Sequence, residues 1–344
     1  MSISKEDRIL GTLYGQALGD AMGMPSELWP RAKVQSYFGW IETFLPGPKE
    51  NNAACYFKQA EFTDDTSMAL ALADAVIECN GEISPTIIAR NIMKWAQEFD
   101  AFNKNVLGPT SKIALNEIIK GRSIESLENN GTTNGAAMRV SPLGCLLSTK
   151  NLDHFIKQIA LASSPTHKSD IAIAGAVAIA WAISKAIDNC TWQQIKLGIS
   201  TVANIAQQQK ITTFSPSMSS RIQLGLDIAQ KPIGIESRLS DIYNIIGAGT
   251  NTIESVPAAI AMVEIAQTDP NQCAILCANL GGDTDTIGAM ATAICGALNG
   301  IESINPHWKK QLDEANQLDF THYSKQLSRL RQLKELTDDH PSTD

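Results

Sequence analysis

Residues 281–286 read Gly281-Gly282-Asp283-Thr284-Asp285-Thr286 and run straight into the apolar stretch IGAMATAICGAL, residues 287–298. Each residue of a helix turns the side-chain direction by ~100°, so two aspartates two positions apart diverge on an established helix and converge only at its start. The glycine pair supplies a Cβ-free approach and the apolar run supplies the helix, which places Asp283 and Asp285 at a loop-to-helix junction with Thr286 beside them. Carboxylates and a hydroxyl so placed are hard oxygens of the kind that Mg²⁺, Mn²⁺ or Ca²⁺ takes as ligands. Taken alone, the motif is better read as an ordinary helix N-cap, since Asp and Thr are common there and the helix dipole favours an anion.

A second cluster shifts the balance. Thr63-Asp64-Asp65-Thr66 stands before another Ala-rich helical run, SMALALADAVIE. Two such helix starts facing one cleft bring four carboxylates together, and their repulsion in a partly buried site calls for one or two divalent cations. Upstream, Gly11, Gly15, Gly19 and Gly23 recur every four residues along one helical stripe. Glycine costs about 1 kcal/mol relative to alanine in a helix interior, so the stripe predicts a backbone packed very close against it. Asp7, Arg8, Gln16 and Asp20 exclude a bilayer span there. Glu27 follows Met24-Pro25 and reads, without further context, as a solvated surface glutamate.

Composition is that of a globular protein: 344 residues, 44% apolar, formal net charge -8. No basic face supports a nucleic-acid or anionic-membrane role. The opening MSISKEDRIL lacks an apolar signal core, and seven cysteines without a CxxC pair read as reduced core thiols, so a cytoplasmic protein is expected. Residues 29–61 lack a sustained period and read as a long surface loop that can act as a lid. Helical patterns follow near 66–79, 84–98, 110–120, 123–128, 220–229, 236–245, 254–267 and 270–279, and the apolar run 171–183 reads as a central core helix too short for a bilayer. Gly131-Thr132-Thr133-Asn134-Gly135-Ala136 is small and polar, able to offer backbone N–H groups to a diphosphate but by itself more plainly a turn. His167, before a helix, reads as a capping or surface residue. Strand signals are scarce. The expectation is one all-α domain over 1–320, then an amphipathic surface helix and a disordered acidic tail over 321–344.

In its motifs the chain resembles the ADP-ribosylglycohydrolase family. The resemblance is carried by GxxxGxxxGDAxGxPxE at Gly11 to Glu27, FTDDT at Phe62 to Thr66, NGAAMRxxPLG at Asn134 to Gly144, the Thr166-His167 junction, and GxGTNTIESVPAAI followed by GGDTDTxGAxxxAxxGA. It implies a compact, orthogonal multi-helix fold with a binuclear Mg²⁺ or Mn²⁺ cleft. By position it implies Thr63, Asp64, Asp65, Asp283, Asp285 and Thr286 as metal ligands, and Glu27 as the glutamate that borders the metals and contacts substrate. The Gly131 to Ala136 loop then corresponds to the holder of the ADP-ribose diphosphate, with His167 near it.

The resulting expectation is a monomeric hydrolase that removes ADP-ribose from modified protein side chains, arginine first, with Asp64 or Asp283 as base. Alternatives from other classes are a two-metal phosphohydrolase and a non-catalytic relative, either crystallin-like or binding an ADP-ribosyltransferase. Arginine-directed bacterial relatives often carry an aspartate where Val106 stands, a residue able to make a bidentate contact with guanidinium. Asp100 or Glu98 is the nearest substitute in sequence.

Overall fold

The computed structural model describes residues 3–104, 106–208 and 211–339. Among these residues the chain is all-α, and only two isolated bridges, Trp29 with Gly282 and Thr133 with Asn251, approach strand pairing. Helix starts follow local chemistry. Ser4 accepts the backbone N–H of Asp7 at 3.0 Å, Asn151 that of His154 at 3.0 Å, and Thr191 with Gln194 forms a capping box. Pro85, Pro109, Pro270 and Pro306 each open a helix at its first position, where a missing N–H is no loss.

The glycine stripe organises the core. The Lys5–Gly23 and Thr284–Asn299 helices pack antiparallel along it as the most extensive helix pair. A Cβ on Gly11 would lie 2.5 Å from the Gly296 carbonyl oxygen, on Gly15 2.3 Å from that of Thr292, on Gly19 2.0 Å from that of Gly288, and on Gly23 2.4 Å from that of Thr284. Backbone therefore meets backbone at four successive glycines, over a little more than ~3 turns. The neighbour implied by the stripe is the helix of the 281–286 motif itself. Thr284 Oγ1 donates to the Gly23 carbonyl at 2.8 Å and Ser26 Oγ to Thr284 Oγ1 at 3.0 Å, which fixes that helix start beside Glu27.

The Asp170–Ile187 helix is apolar enough and long enough to span a membrane, yet 94% of it is buried inside the protein, as a core helix. All seven cysteines are free thiols.

Three features differ from the sequence expectation. The 29–61 segment contains a helix, Arg31–Phe38, pinned by Arg31 donating to the Asn279 and Leu280 carbonyls at 2.6 and 3.1 Å. The remainder is irregular but buries Ile41, Phe44, Ala54 and Phe57, so it is packed down and not a free flap. Helices at Ser141–Leu146, Leu152–Ser163 and Pro306–Asn316 add to the expected set; glycine, proline or polar residues obscure the first and the last, whereas Leu152, Phe155, Ile156 and Ile159 give the middle one a clear apolar period. Finally, the Phe320–Asp339 helix is part of the body: Leu327, Leu330 and Arg331 are buried, and Arg331 donates to the Gly144, Cys145 and Leu147 carbonyls at 3.2, 3.2 and 2.9 Å. Those carbonyls lie at a helix C-terminus, where a guanidinium is favourable. The tail expected to be disordered is helical through Asp339, and residues 340–344 lie outside the described residues.

Candidate metal centre

The two acidic helix starts do meet, and neither is an ordinary N-cap. Thr63, before the Asp64–Glu78 helix, and Asp283, before the Thr284–Asn299 helix, make no side-chain capping bond. The first helix is capped from outside: Asp20 Oδ1 accepts from Thr63 N and Oγ1, both at 2.9 Å, and Asp20 Oδ2 accepts from Thr66 N and Oγ1 at 2.9 and 2.7 Å. Asp20 is fully buried. Sequence reading missed it as a site residue, although an aspartate directly after a stripe glycine, on a face that must be buried, was the available signal.

Glu27 arrives by a different device. Leu28 N donates to the Gly282 carbonyl at 2.7 Å and Gly282 N to the Trp29 carbonyl at 2.8 Å, zipping the turn after Met24–Ser26 to the glycine pair. Leu28 takes a left-handed φ of 57° in this turn, a conformation that costs a leucine energy and that the two bonds hold in place. Half-buried Glu27 is thus set against Asp285, within hydrogen-bond contact of its carboxyl group.

Carboxylate oxygens of Asp20, Asp65 and Asp285 lie within 4.8 Å of one another, and so do those of Glu27, Asp283 and Asp285, which makes Asp285 the shared member. Asp64 completes the group, and Thr286 hydrogen-bonds to Asp65 and Asp283. Burial, followed by mutual repulsion, holds Glu27, Asp64, Asp65 and Asp285 well above the usual carboxylate range. Burial raises Asp20 and Asp283 as well, but only to about 6, because Thr63 and Thr66 hydrogen-bond to the first and Asn134 and Thr286 to the second. None of the ion pairs among the described residues reaches these six groups. Asp65 Oδ1 and Asp285 Oδ1 are buried without any partner. A buried oxygen left unpaired is costly, and two of them inside an uncompensated acidic cluster fit hard divalent cations. The expected ligands Thr63, Asp64, Asp65, Asp283, Asp285 and Thr286 are therefore brought together, with Glu27 at their edge. Asp20 spends both its oxygens on the helix start.

This balance predicts a pH dependence in excess chelator. Because Glu27, Asp64, Asp65 and Asp285 are raised in the folded protein relative to an unfolded chain, the folded form is the more protonated one above the usual carboxylate range, and their contribution to stability falls as pH rises. His167, pushed down to about 3 by burial and by Arg139, works in the opposite sense, but its effect fades above pH 6.5 as the unfolded histidine gives up its proton. Tm should thus be lower at pH 8 than at pH 6.5, and Mg²⁺ or Mn²⁺ should shrink the difference. A flat or rising Tm over that range would contradict it.

At the cluster opens a cleft of about 130 Å³, lined by Glu27, Asp64, Asp283, Asp285 and Thr286 and also by Leu28, Val106 and Leu107. Asn134 joins the loop between Gly131 and Gly135 to the centre, its Nδ2 donating to Asp283 Oδ2 at 2.6 Å and to Ser255 Oγ at 3.0 Å. Thr133 and Gly135 also line the cleft, whereas Gly131, Thr132 and Ala136 do not; the Gly131 and Thr132 carbonyls are taken by Ser169 Oγ at 2.8 Å and by Thr252 N at 2.9 Å. His167 lies under this loop, fully buried, with Nε2 2.9 Å from Thr133 Oγ1 and Nδ1 2.8 Å from Thr166 Oγ1. It supports the loop from beneath. Asp100 is exposed on a turn, bound to Asn103 Nδ2 at 2.7 Å, and is not brought to the cleft wall; Glu98 is exposed beside Lys94. Val106 packs with Met24, Ala54 and Phe57.

Comparison with known proteins places this geometry. The family model for ADP-ribosylglycohydrolase matches residues 1–339. An uncharacterized protein, YegU, of Escherichia coli K12 is 66% identical over 96% of this chain and 99% of its own length. ADP-ribosylhydrolase ARH3 of Homo sapiens is 25% identical over 91% of both chains. ADP-ribosylarginine hydrolase Tri1 of Serratia proteamaculans is 25% identical over 89% of this chain and 75% of its own. A solved structure described as an ADP-ribosylglycohydrolase-related protein complex superposes with a TM-score of 0.72 at 21% identity, covering 95% of this chain and 99% of that one.

Proposed function

The chain belongs to the ADP-ribosylglycohydrolase family, and from that premise we propose that it hydrolyses the glycosidic bond of ADP-ribosylated protein side chains, arginine foremost, with two Mg²⁺ or Mn²⁺ ions. The observation that carries this reading is the six-carboxylate cluster with two unpartnered oxygens at the floor of a cleft. Bound divalent cations would offset that charge and make a water more acidic. The chain's own groups supply the rest. Breaking a glycosidic bond builds positive charge at the anomeric carbon, which carboxylates on the cleft wall stabilise. Asp283, held in one orientation by Asn134, or Asp64 serves as base toward the attacking water, and Glu27 contacts the ribosyl group.

An arginine leaving group is supported by the acidic cleft, which favours a cationic guanidinium, and by the likeness to the Serratia ADP-ribosylarginine hydrolase. The apolar wall of Leu28, Val106 and Leu107 favours a second reading, linkage through an uncharged side-chain hydroxyl. Kinetics on defined ADP-ribosyl-arginine and ADP-ribosyl-serine peptides decide between them. We expect the higher kcat/KM on arginine, and greater turnover of serine would overturn that preference. Asp100→Ala is a further check, since a raised KM for the arginine peptide is expected only where its carboxylate swings to the substrate. Release of inorganic phosphate, with no ADP-ribose, would indicate phosphohydrolase chemistry instead.

A further inference from the structure

We infer that the cleft is built for the ribosyl group alone, so that the enzyme also hydrolyses neutral ribosides that carry neither diphosphate nor adenine. The inference rests on the reading of this cleft as a ribosyl-cleaving site and names the part of the substrate that it grips.

Four observations carry it. The cleft offers about 130 Å³, whereas pockets enclosing drug-sized ligands run from about 300 Å³ upward. A pentose with a small leaving group suits the smaller figure; the whole of ADP-ribose does not. Second, four carboxylates line the cleft, and no lysine, arginine or histidine does among the described residues. A diphosphate therefore finds no side-chain cation on these walls. Third, the same lining contains no aromatic ring on which an adenine could stack. Fourth, the backbone N–H of Asn134, in the loop expected to cradle the diphosphate, is already spent on the Thr250 carbonyl at 3.0 Å. What remains on the walls is suited to hydroxyl groups: carboxylates, Ser111, Thr133, Asn134 and Thr286. The ADP part of a larger substrate then projects from the mouth and adds little binding.

The reaction balances with water alone. The bond from C1 to the leaving oxygen or nitrogen breaks with its electron pair leaving on that atom. Water oxygen bonds to C1, one water proton stays as the new hydroxyl, and the other goes to the leaving group or solvent.

The test uses the full chain loaded with Mg²⁺ or Mn²⁺ and one leaving group throughout: the α and β anomers of 4-nitrophenyl ribofuranoside, each with and without a 5′-ADP extension. We expect kcat/KM of the riboside to stand within about tenfold of its ADP-bearing counterpart, because remote groups that make no contact contribute no binding energy to the transition state. A riboside slower by more than about a hundredfold, with the ADP compound turned over, overturns this inference and leaves the ADP-ribosyl activity standing. A riboside hydrolysed while no ADP-bearing compound is cleaved upholds the inference and overturns the proposed function. Hydrolysis of neither overturns both. Thermal shift gives a readout without turnover: ribose should raise Tm, and ADP, supplied with excess Mg²⁺, should not. A larger shift with ADP than with ribose counts against the inference.

Discussion

Asp285→Asn should lower hydrolysis by orders of magnitude while leaving the protein folded. Asp285 belongs to both carboxylate groups, and one of its oxygens is buried without a partner. Asparagine keeps the shape and removes the charge, so divalent cations are held more weakly. Repulsion within the cluster eases at the same time, and in chelator the variant should melt higher than the parent. Asp64→Asn should behave alike, to a lesser degree, because Asp64 stands outside both close groups. Turnover with Mg²⁺ or Mn²⁺, calorimetry of metal binding and Tm in chelator together check this. Full turnover by chelator-treated parent enzyme would sink the metal argument.

Gly15→Leu is expected to destabilise by roughly 1 to 3 kcal/mol or more, the range for overpacking a well-filled core. The geometry favours the upper end, since the atom in the way is the Thr292 carbonyl oxygen, 2.3 Å from a new Cβ, and backbone cannot rotate aside as a side chain can. Even Gly15→Ala should be felt. Forcing the pair apart also moves Thr284 from Gly23, so activity should fall together with stability. Denaturant unfolding measures the first effect, and an unchanged Tm would show that the two helices separate freely.

Much of this was legible in the sequence because it depends on local rules. Caps, first-turn prolines and apolar periods fix where helices begin, and glycines at every fourth residue announce a close neighbour. The paired aspartates were legible for the same reason: each sits where its own helix starts. Relations set by the third dimension were not. Asp20 caps a helix more than forty positions away, and nothing in its own neighbourhood states which helix. Arg331 looked like one base among several on a surface helix until the Gly144 to Leu147 carbonyls met it. His167 and the Gly131 to Ala136 loop were expected near the substrate; Thr133, Asn134 and Gly135 line the cleft, while His167 is fully buried beneath them.

The antiparallel glycine pairing joins residues near the two ends of the chain, and this governs the order of events during synthesis. The Lys5–Gly23 helix leaves the ribosome early, but the backbone that fills its stripe is made only after residue 284. At ordinary elongation rates the wait is on the order of tens of seconds. Through that interval the nascent protein has neither its central helix pair nor its acidic cluster, since Asp283 and Asp285 are still missing. The late helix thus closes the core and completes the chemistry in one step, and a chain interrupted before it should be recognised by the cell as unfolded, not as a partly working enzyme.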